Sequence, residues 1–164
     1  MDVMIVPYVE SYKDQVVTLV TSIQREFGVP VTYEDQPDLQ DIAGTFQKGA
    51  GNFWVALMEG QVIGTIALID RGEQTGILRK MFVYPDYRGA PNGVGGKLLD
   101  TLLAWANAHG IRHIFLGTND RLAAAARFYE KNGFHLIADE SLPPHVAAVR
   151  MKVDNRHYHR ELAA

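Results

Sequence analysis

Apolar residues recur along this chain in two rhythms, one of period near 3.6 and one of short continuous runs. Val16, Val20, Ile23 and Phe27 follow at four-three-four spacing, the stripe of an amphipathic helix. Ser11 and Asp14 can cap its start, and Gly28 and Pro30 end it. Before it, residues 4–8 read as a first strand. After a loop over residues 29–37, a weaker helix is expected over 37–48, with Leu39, Ile42, Ala43 and Phe46 on one side and Gly49 and Gly51 closing it. Residues 53–58 and 61–69 are apolar runs joined by Glu59-Gly60, which predicts a hairpin. A turn over 70–76 leads to a fourth strand over 77–83. A helix from about 94 to 109 carries Val94, Leu98, Leu99, Leu102 and Leu103 and stops at Gly110. Residues 111–116 read as a strand and 117–120 as a turn. The alanine-rich run 122–131 is a strong helix former, ended by Asn132-Gly133. Strands are expected over 134–138 and, past the break at Pro143-Pro144, over 146–153, with a polar tail from about Asp154. The order is strand–helix–helix, three strands, helix, strand, helix, two strands. That is an α/β mixture around one mixed sheet.

Length and composition narrow the function without naming it. The chain has 164 residues, a natural size for one domain spanning 1–164 with a sizeable core. Apolar residues make up 47% and charged residues 21%, ordinary for a globular protein. A net charge of -3 leaves no electrostatic footprint for nucleic acid. The absence of cysteine excludes disulfides, thiol catalysis and thiolate metal sites. No apolar run approaches the roughly 20 residues of a membrane span, and no signal peptide is visible. The expectation is a cytoplasmic protein that binds neither nucleic acid nor membrane.

The stretch 84–103 carries the chemistry. It passes from a strand through Arg88, Gly89, Gly93, Gly95 and Gly96 into a helix. A strand, a glycine-rich loop and a helix N-terminus aim backbone N–H groups and the positive end of a helix dipole at one point, a site for phosphate. Glycine is needed there because a side chain would hold a phosphate away from the backbone. Lys97 is followed by Leu98, so the loop is not a P-loop. Its place past the middle of the chain argues against a dinucleotide fingerprint. Standing alone, such a loop is read equally well as a turn that lets a helix pack on a sheet.

The neighbouring motifs change that reading. Met81-Phe82-Val83-Tyr84-Pro85 is similar to the strand of GNAT-superfamily N-acetyltransferases that ends in apolar–x–Val–x–Pro. Arg88-Gly89 with Gly93-Val94-Gly95-Gly96-Lys97 resembles that family's pyrophosphate loop, and Phe128-Tyr129-Glu130-Lys131-Asn132-Gly133-Phe134 its C-terminal signature. The resemblance spans nearly the whole chain. It implies the GNAT-like fold, a central mixed and mostly antiparallel sheet of about seven strands flanked by about four helices. The loop departs from the pattern: Ala90 stands where the family usually has Arg or Gln, and Ala90-Pro91-Asn92 read as a slightly longer loop that leaves the role of Arg88 open.

The resemblance further implies transfer of an acetyl group from acetyl-coenzyme A, as co-substrate and without a metal, to a small-molecule or peptide amine by direct attack. The cofactor would be held by the backbone of Gly93, Val94, Gly95, Gly96 and Lys97, with Arg88, Gly89, Asn119 and Lys131 nearby. Met81, Phe82 and Val83 would line the pantetheine arm, the Met81 N–H facing the thioester carbonyl. Tyr129 is the implied general acid, a phenol protonated at neutral pH because its ordinary pKa is about 10. Both Tyr129 and the strand residues also read as plain core. An alkylammonium acceptor needs a base, and Ile77 stands where some members have a glutamate. Glu26 is the leading candidate among Glu26, Asp38, Asp70 and Glu73, each of which also reads as a surface charge. Leu122 replaces an asparagine that the family often has, and Asn119 is a substitute. Arg79, unusual in an apolar strand, either faces the acceptor or pairs with a carboxylate. His157 and His159 lack a third metal ligand at sensible spacing and read as polar tail. A homodimer through the last strands and the Pro143-Pro144 loop is possible. The competing readings are a non-catalytic acetyl-coenzyme A sensor and a transferase using another acyl-coenzyme A.

Overall fold

A computed structural model describes residues 2–89 and 93–163; the Ala90-Pro91-Asn92 insertion lies outside the described residues. The core follows from strict alternation in the hairpin. Strand β2 (Asn52–Met58) turns Phe53 and Val55 to one side of the sheet and Trp54, Ala56 and Met58 to the other. On the first side Phe53 and Val55 meet Val16, Leu19, Val20 and Ile23 of α1 (Lys13–Glu26). On the second, Trp54 and Ala56 meet Val94, Leu98, Leu99 and Leu102 of α4 (Val94–Ala108). Each helix buries one stripe, and the sheet between them is covered on both faces.

The remaining strands are β1 (Met4–Pro7), β3 (Gln61–Gly72), β4 (Thr75–Val83), β5 (His113–Thr118), β6 (His135–Ile137) and β7 (Arg156–Glu161). They form one seven-stranded sheet in the order β1-β2-β3-β4-β5-β7-β6. Every neighbouring pair is antiparallel except β4 with β5. The fold is therefore the mixed, mostly antiparallel α/β architecture expected. The second expected helix is two short ones, α2 (Pro37–Gln40) and α3 (Ile42–Phe46). Asp41 breaks the run, and its carboxylate accepts from the Gly44 N–H at 3.1 Å to start the second piece.

The end of the chain differs from expectation. Residues 146–153 are not a strand: α6 (Pro144–Ala147) begins there, since proline at the first helical position suits a helix start. The last strand is β7, inside the stretch read as a polar tail, and it lies between β5 and β6. Its polar side chains have partners. Tyr158 is fully buried and donates to Glu130 Oε2 at 2.7 Å, Arg160 donates to the Asn132 carbonyl at 2.6 Å, and His159 stacks on Phe115.

Two irregularities open the sheet. β4 pairs with β5 only over Thr75–Ile77 and His113–Phe115, although β4 runs on to Val83 and β5 to Thr118. Beyond that short ladder the strands splay. On its other edge β4 carries a bulge: Thr65 faces Phe82 and Ala67 faces Arg79, so Lys80 and Met81 together oppose one residue of β3. Lys80 has φ 52°, and Thr65 Oγ1 donates to its carbonyl at 2.6 Å, replacing a ladder bond. No described helix is long and apolar enough to cross a membrane.

Candidate active site

The splay between β4 and β5 leads into two cavities that share a wall. The larger, of about 340 Å³, is lined by Met81, Phe82 and Val83 of β4, by Arg88, Gly89, Gly93, Gly95 and Gly96, and by Phe128 and Tyr129 of α5 (Ala123–Lys131). The smaller, of about 110 Å³, lies on the other side of Tyr129. Gln24, Gln36, Arg79, Lys80, Asn119 and Asp154 supply its polar lining. Met81, Phe82, Leu122, Ala125 and Tyr129 line both.

The larger cavity has the features a pyrophosphate requires. Gly93 caps α4 in the left-handed region, φ 60°, where a side chain would be strained. The first N–H groups of the helix lack an intrahelical acceptor, no side chain among the described residues caps them, and the first ladder bond is Lys97 N–H to the Gly93 carbonyl at 3.0 Å. A Cβ on Gly96 would meet nothing within 4 Å among the described residues. A fifteen-residue helix presents its positive end there. The remaining lining is apolar, as a pantetheine arm requires, so these residues fit coenzyme A.

Tyr129 belongs to the α5 stripe and is 6% exposed, its ring edge-on to Phe128 and Phe134. Its hydroxyl makes no hydrogen bond among the described residues. Burial, reinforced by the Asp154 carboxylate, pushes the phenol above its ordinary range, so it keeps its proton at neutral pH.

The other expected residues are placed variously. Arg88 donates to both Glu26 oxygens at 3.0 Å, to the Val83 carbonyl at 2.8 Å, and lies 5.2 Å from the Phe27 ring centroid. It ties the end of α1 to the end of β4 at the mouth of the larger cavity. Glu26 is thus engaged by Arg88 and lines neither cavity. Val94 is core, and the Lys97 and Lys131 side chains are exposed and outside the cavity linings. Asn119 lines the smaller cavity, where Nδ2 donates to the Val153 carbonyl at 2.6 Å and Oδ1 accepts from the Arg121 N–H at 2.9 Å. Ile77 packs against Phe115. Asp70 accepts from the backbone of Ala50 and Gly72, and Glu73 is in an exposed turn.

Of the charged groups lining the smaller cavity, Arg79 stands out in the sequence, whereas Lys80 and Asp154 do not. Lys80 is 9% exposed, bonded to Gln36 Oε1 at 2.6 Å and 3.3 Å from Asp38 Oδ2. Gln36 in turn exchanges bonds of 2.9 and 3.0 Å with Gln24 of α1. Burial lowers the Lys80 ammonium pKa, opposed by Asp38. Arg79 donates to the Val149 carbonyl and has no carboxylate within 4 Å among the described residues. The Asp154 N–H donates to the Met151 carbonyl at 3.2 Å, but its carboxylate has no hydrogen bond or ion pair among the described residues. Burial raises its pKa, against the pull of His157, Arg79 and Lys80. The signal that could have found it is the Asp154–His157–His159 spacing in a run otherwise read as tail.

Similarity to known proteins agrees with this geometry. The sequence matches the acetyltransferase (GNAT) domain family over residues 49–136, more than half of the chain. An acetyltransferase of the GNAT family from Staphylococcus aureus Mu50 superposes with a TM-score of 0.93 at 36% identity, over 99% of this chain and 100% of that one. The N-acetylglutamate synthase of Neisseria gonorrhoeae, solved with coenzyme A and N-acetyl-glutamate, shares the fold at a TM-score of 0.75 and 16% identity, over 100% of this chain and 36% of its own. The N-acetylaspartate synthetase of Danio rerio is 32% identical over 104 residues, 62% of this chain and 36% of that protein. The chain spans about a third of the length of the N-acetylaspartate synthetases it matches. By this family match, and by its superposition on a GNAT-family acetyltransferase over nearly the whole chain, the chain belongs to the GNAT acetyltransferase family.

Proposed function

We propose that this protein is an acetyl-coenzyme A-dependent N-acetyltransferase that joins the acetyl group to a primary amine by direct attack. The observation that carries the reading is the position of Tyr129 in the wall between the two cavities. The larger takes the coenzyme, its pyrophosphate on the N–H groups of Gly95 and Gly96, and the smaller takes the amine. Bound acetyl-coenzyme A supplies the acetyl group as a thioester. Met81, next to the β4 bulge, turns its backbone N–H toward the carbonyl oxygen where negative charge develops. Tyr129 gives its proton to the departing sulfur, a transfer that its buried, protonated phenol is suited to make.

The acceptor is an amine that also bears a carboxylate. Arg79 is a half-buried cation with no carboxylate within 4 Å among the described residues, and a carboxylate on the acceptor would complete it. Acceptors of that chemistry agree with the names of the relatives, the N-acetylaspartate and N-acetylglutamate synthases.

Calorimetric titration with acetyl-coenzyme A, coenzyme A and NAD tests the larger cavity: micromolar binding of both coenzyme A forms and none of NAD is expected. Thiol release across a panel of amines and amino acids then tests transfer. Tyr129→Phe is expected to lower kcat by about 10²–10⁴ with coenzyme affinity retained. An unchanged kcat removes Tyr129 as the acid. Coenzyme binding without turnover on any amine would instead describe a sensor.

A further inference from the structure

The acetyl transfer leaves one proton to dispose of. An ammonium carries three, and the amide keeps one. One replaces the proton that Tyr129 gives to sulfur as the C–N bond forms and the C–S bond breaks. The third must leave before attack, because an ammonium has no lone pair. The acceptor cavity therefore needs a proton acceptor, and Glu26 stands outside it, held by Arg88.

We propose that Asp154 is that acceptor and that His157, through a single bridging water, takes the proton onward. This rests on the transferase reading given above. Asp154 lines the smaller cavity together with Tyr129. It also lines a third chamber of about 20 Å³, behind the first, which His157 shares. Holding one water takes roughly 10–15 Å³ of such space and two or more polar partners. The chamber has that volume, and its lining includes both Asp154 and His157.

His157 is prepared to receive the proton. It is 3% exposed, and its Nε2 is buried with no hydrogen-bond partner among the described residues. Its Nδ1 lies 2.7 Å from Asp139 Oδ1. A carboxylate only accepts, so Nδ1 carries the hydrogen and Nε2 of the neutral ring presents a lone pair. A proton arriving at Nε2 makes an imidazolium whose charge Asp139 balances. On product release the same proton returns through the water to the opened cavity and to solvent.

The backbone around Asp154 is shaped for this placement. The carboxylate lies over Gly117 of β5, where a Cβ would fall 2.9 Å from its Cγ. Only glycine leaves that space. The Asn155 N–H bonds the Thr118 carbonyl at 2.9 Å, fixing the segment against the splayed end of β5. The charged and titratable groups facing Asp154 are Arg79 and Lys80 from β4, Tyr129 from α5, His157 from β7 and Arg150 from the segment after α6. Lys80 has its own counter-ion in Asp38, which leaves Arg79 for the acceptor's carboxylate and Asp154 for its ammonium.

The test is thiol release by the full chain with acetyl-coenzyme A and the best amino-acid acceptor, from pH 5.5 to 10. Wild-type kcat should rise through an acid limb to a plateau. Asp154→Asn should lose about 10²–10⁴ in kcat at pH 7. Its rate should climb about tenfold per pH unit toward the amine's own pKa, because only free amine then reacts. His157→Asn keeps a donor toward Asp139 and removes Nε2; it should move the acid limb and leave the acceptor KM within about twofold. Gly117→Ala, which displaces the carboxylate without removing it, should reproduce the Asp154→Asn loss in a protein that still melts cooperatively and binds coenzyme A. A wild-type chain that turns over, beside an Asp154→Asn variant keeping its rate and pH profile, overturns the assignment alone. A wild-type chain that acetylates no amine overturns the transferase reading and this assignment with it.

Discussion

At the residue scale, the glycines of the loop separate structure from binding. Gly96 sits in the first turn of α4 with ordinary helical geometry, and a Cβ there would meet nothing within 4 Å among the described residues. Alanine there should stabilise the helix by about 0.5–1 kcal/mol, because glycine loses more backbone entropy on folding. The same methyl would stand where a phosphate approaches the N–H groups. Gly96→Ala should therefore raise the melting temperature while weakening coenzyme A binding by tenfold or more, read by calorimetry on one preparation. Affinity unchanged from wild type would mean the phosphates lie elsewhere. Lys80 and Asp38 pose the opposite case. The pair is buried, so truncating Asp38 to alanine strands a charge, at a cost of about 3–5 kcal/mol in denaturant unfolding. The pairing has no signature in the sequence: Asp38 reads as a candidate base or surface charge, and only the bulge at Lys80 and Met81 brings Lys80 to it.

Among the elements, the strongly patterned ones were legible and the weakly patterned ones were not. α1 and α4 announce themselves by a buried apolar stripe, the β2–β3 hairpin by two apolar runs about a two-residue turn, and α5 by its alanine content. Strand β7 does not: Arg-His-Tyr-His-Arg-Glu has no apolar alternation, and its stability comes from partners distant in sequence. Val146 and its neighbours look like a strand, yet Pro143-Pro144 start a short helix and Arg79 takes the Val149 carbonyl. Removal of residues 155–164 distinguishes a tail from a strand. A tail would come off with little effect. Loss of β7 leaves β5 and β6 without the strand between them and deletes fully buried Tyr158, which alone should cost about 3–5 kcal/mol. The truncated chain should lose its cooperative melt; a melt within 2–3 °C of wild type would contradict this pairing.

Across the whole molecule, the sheet opens where β4 and β5 part, and the groups that lack local partners gather at that opening. The larger cavity was legible because the glycine spacing of the loop marks the backbone that lines it. The smaller one was not, because its charges, Arg79 and Lys80 on β4 and Asp154 before β7, lie far apart in sequence and only the tertiary fold unites them. Such a site has an energetic consequence. Asp154 is largely buried with its pKa raised above the ordinary carboxylate value of about 3.9. A raised native pKa means that the folded protein binds the proton more tightly than the unfolded chain. Ionised Asp154 therefore costs stability in full above its native pKa; the cost fades as pH falls from the native to the unfolded value and is gone below the latter. Asparagine has the same shape without the charge. Asp154→Asn should be more stable than wild type at pH 8, on the order of 0.5–2 kcal/mol, with the advantage shrinking toward pH 4. Calorimetric melts of both proteins across that range would decide the point. A variant less stable than wild type at pH 8 would make Asp154 a structural counter-ion of Arg79. A stabilised variant that has lost turnover would identify a carboxylate kept in a costly place for its chemistry.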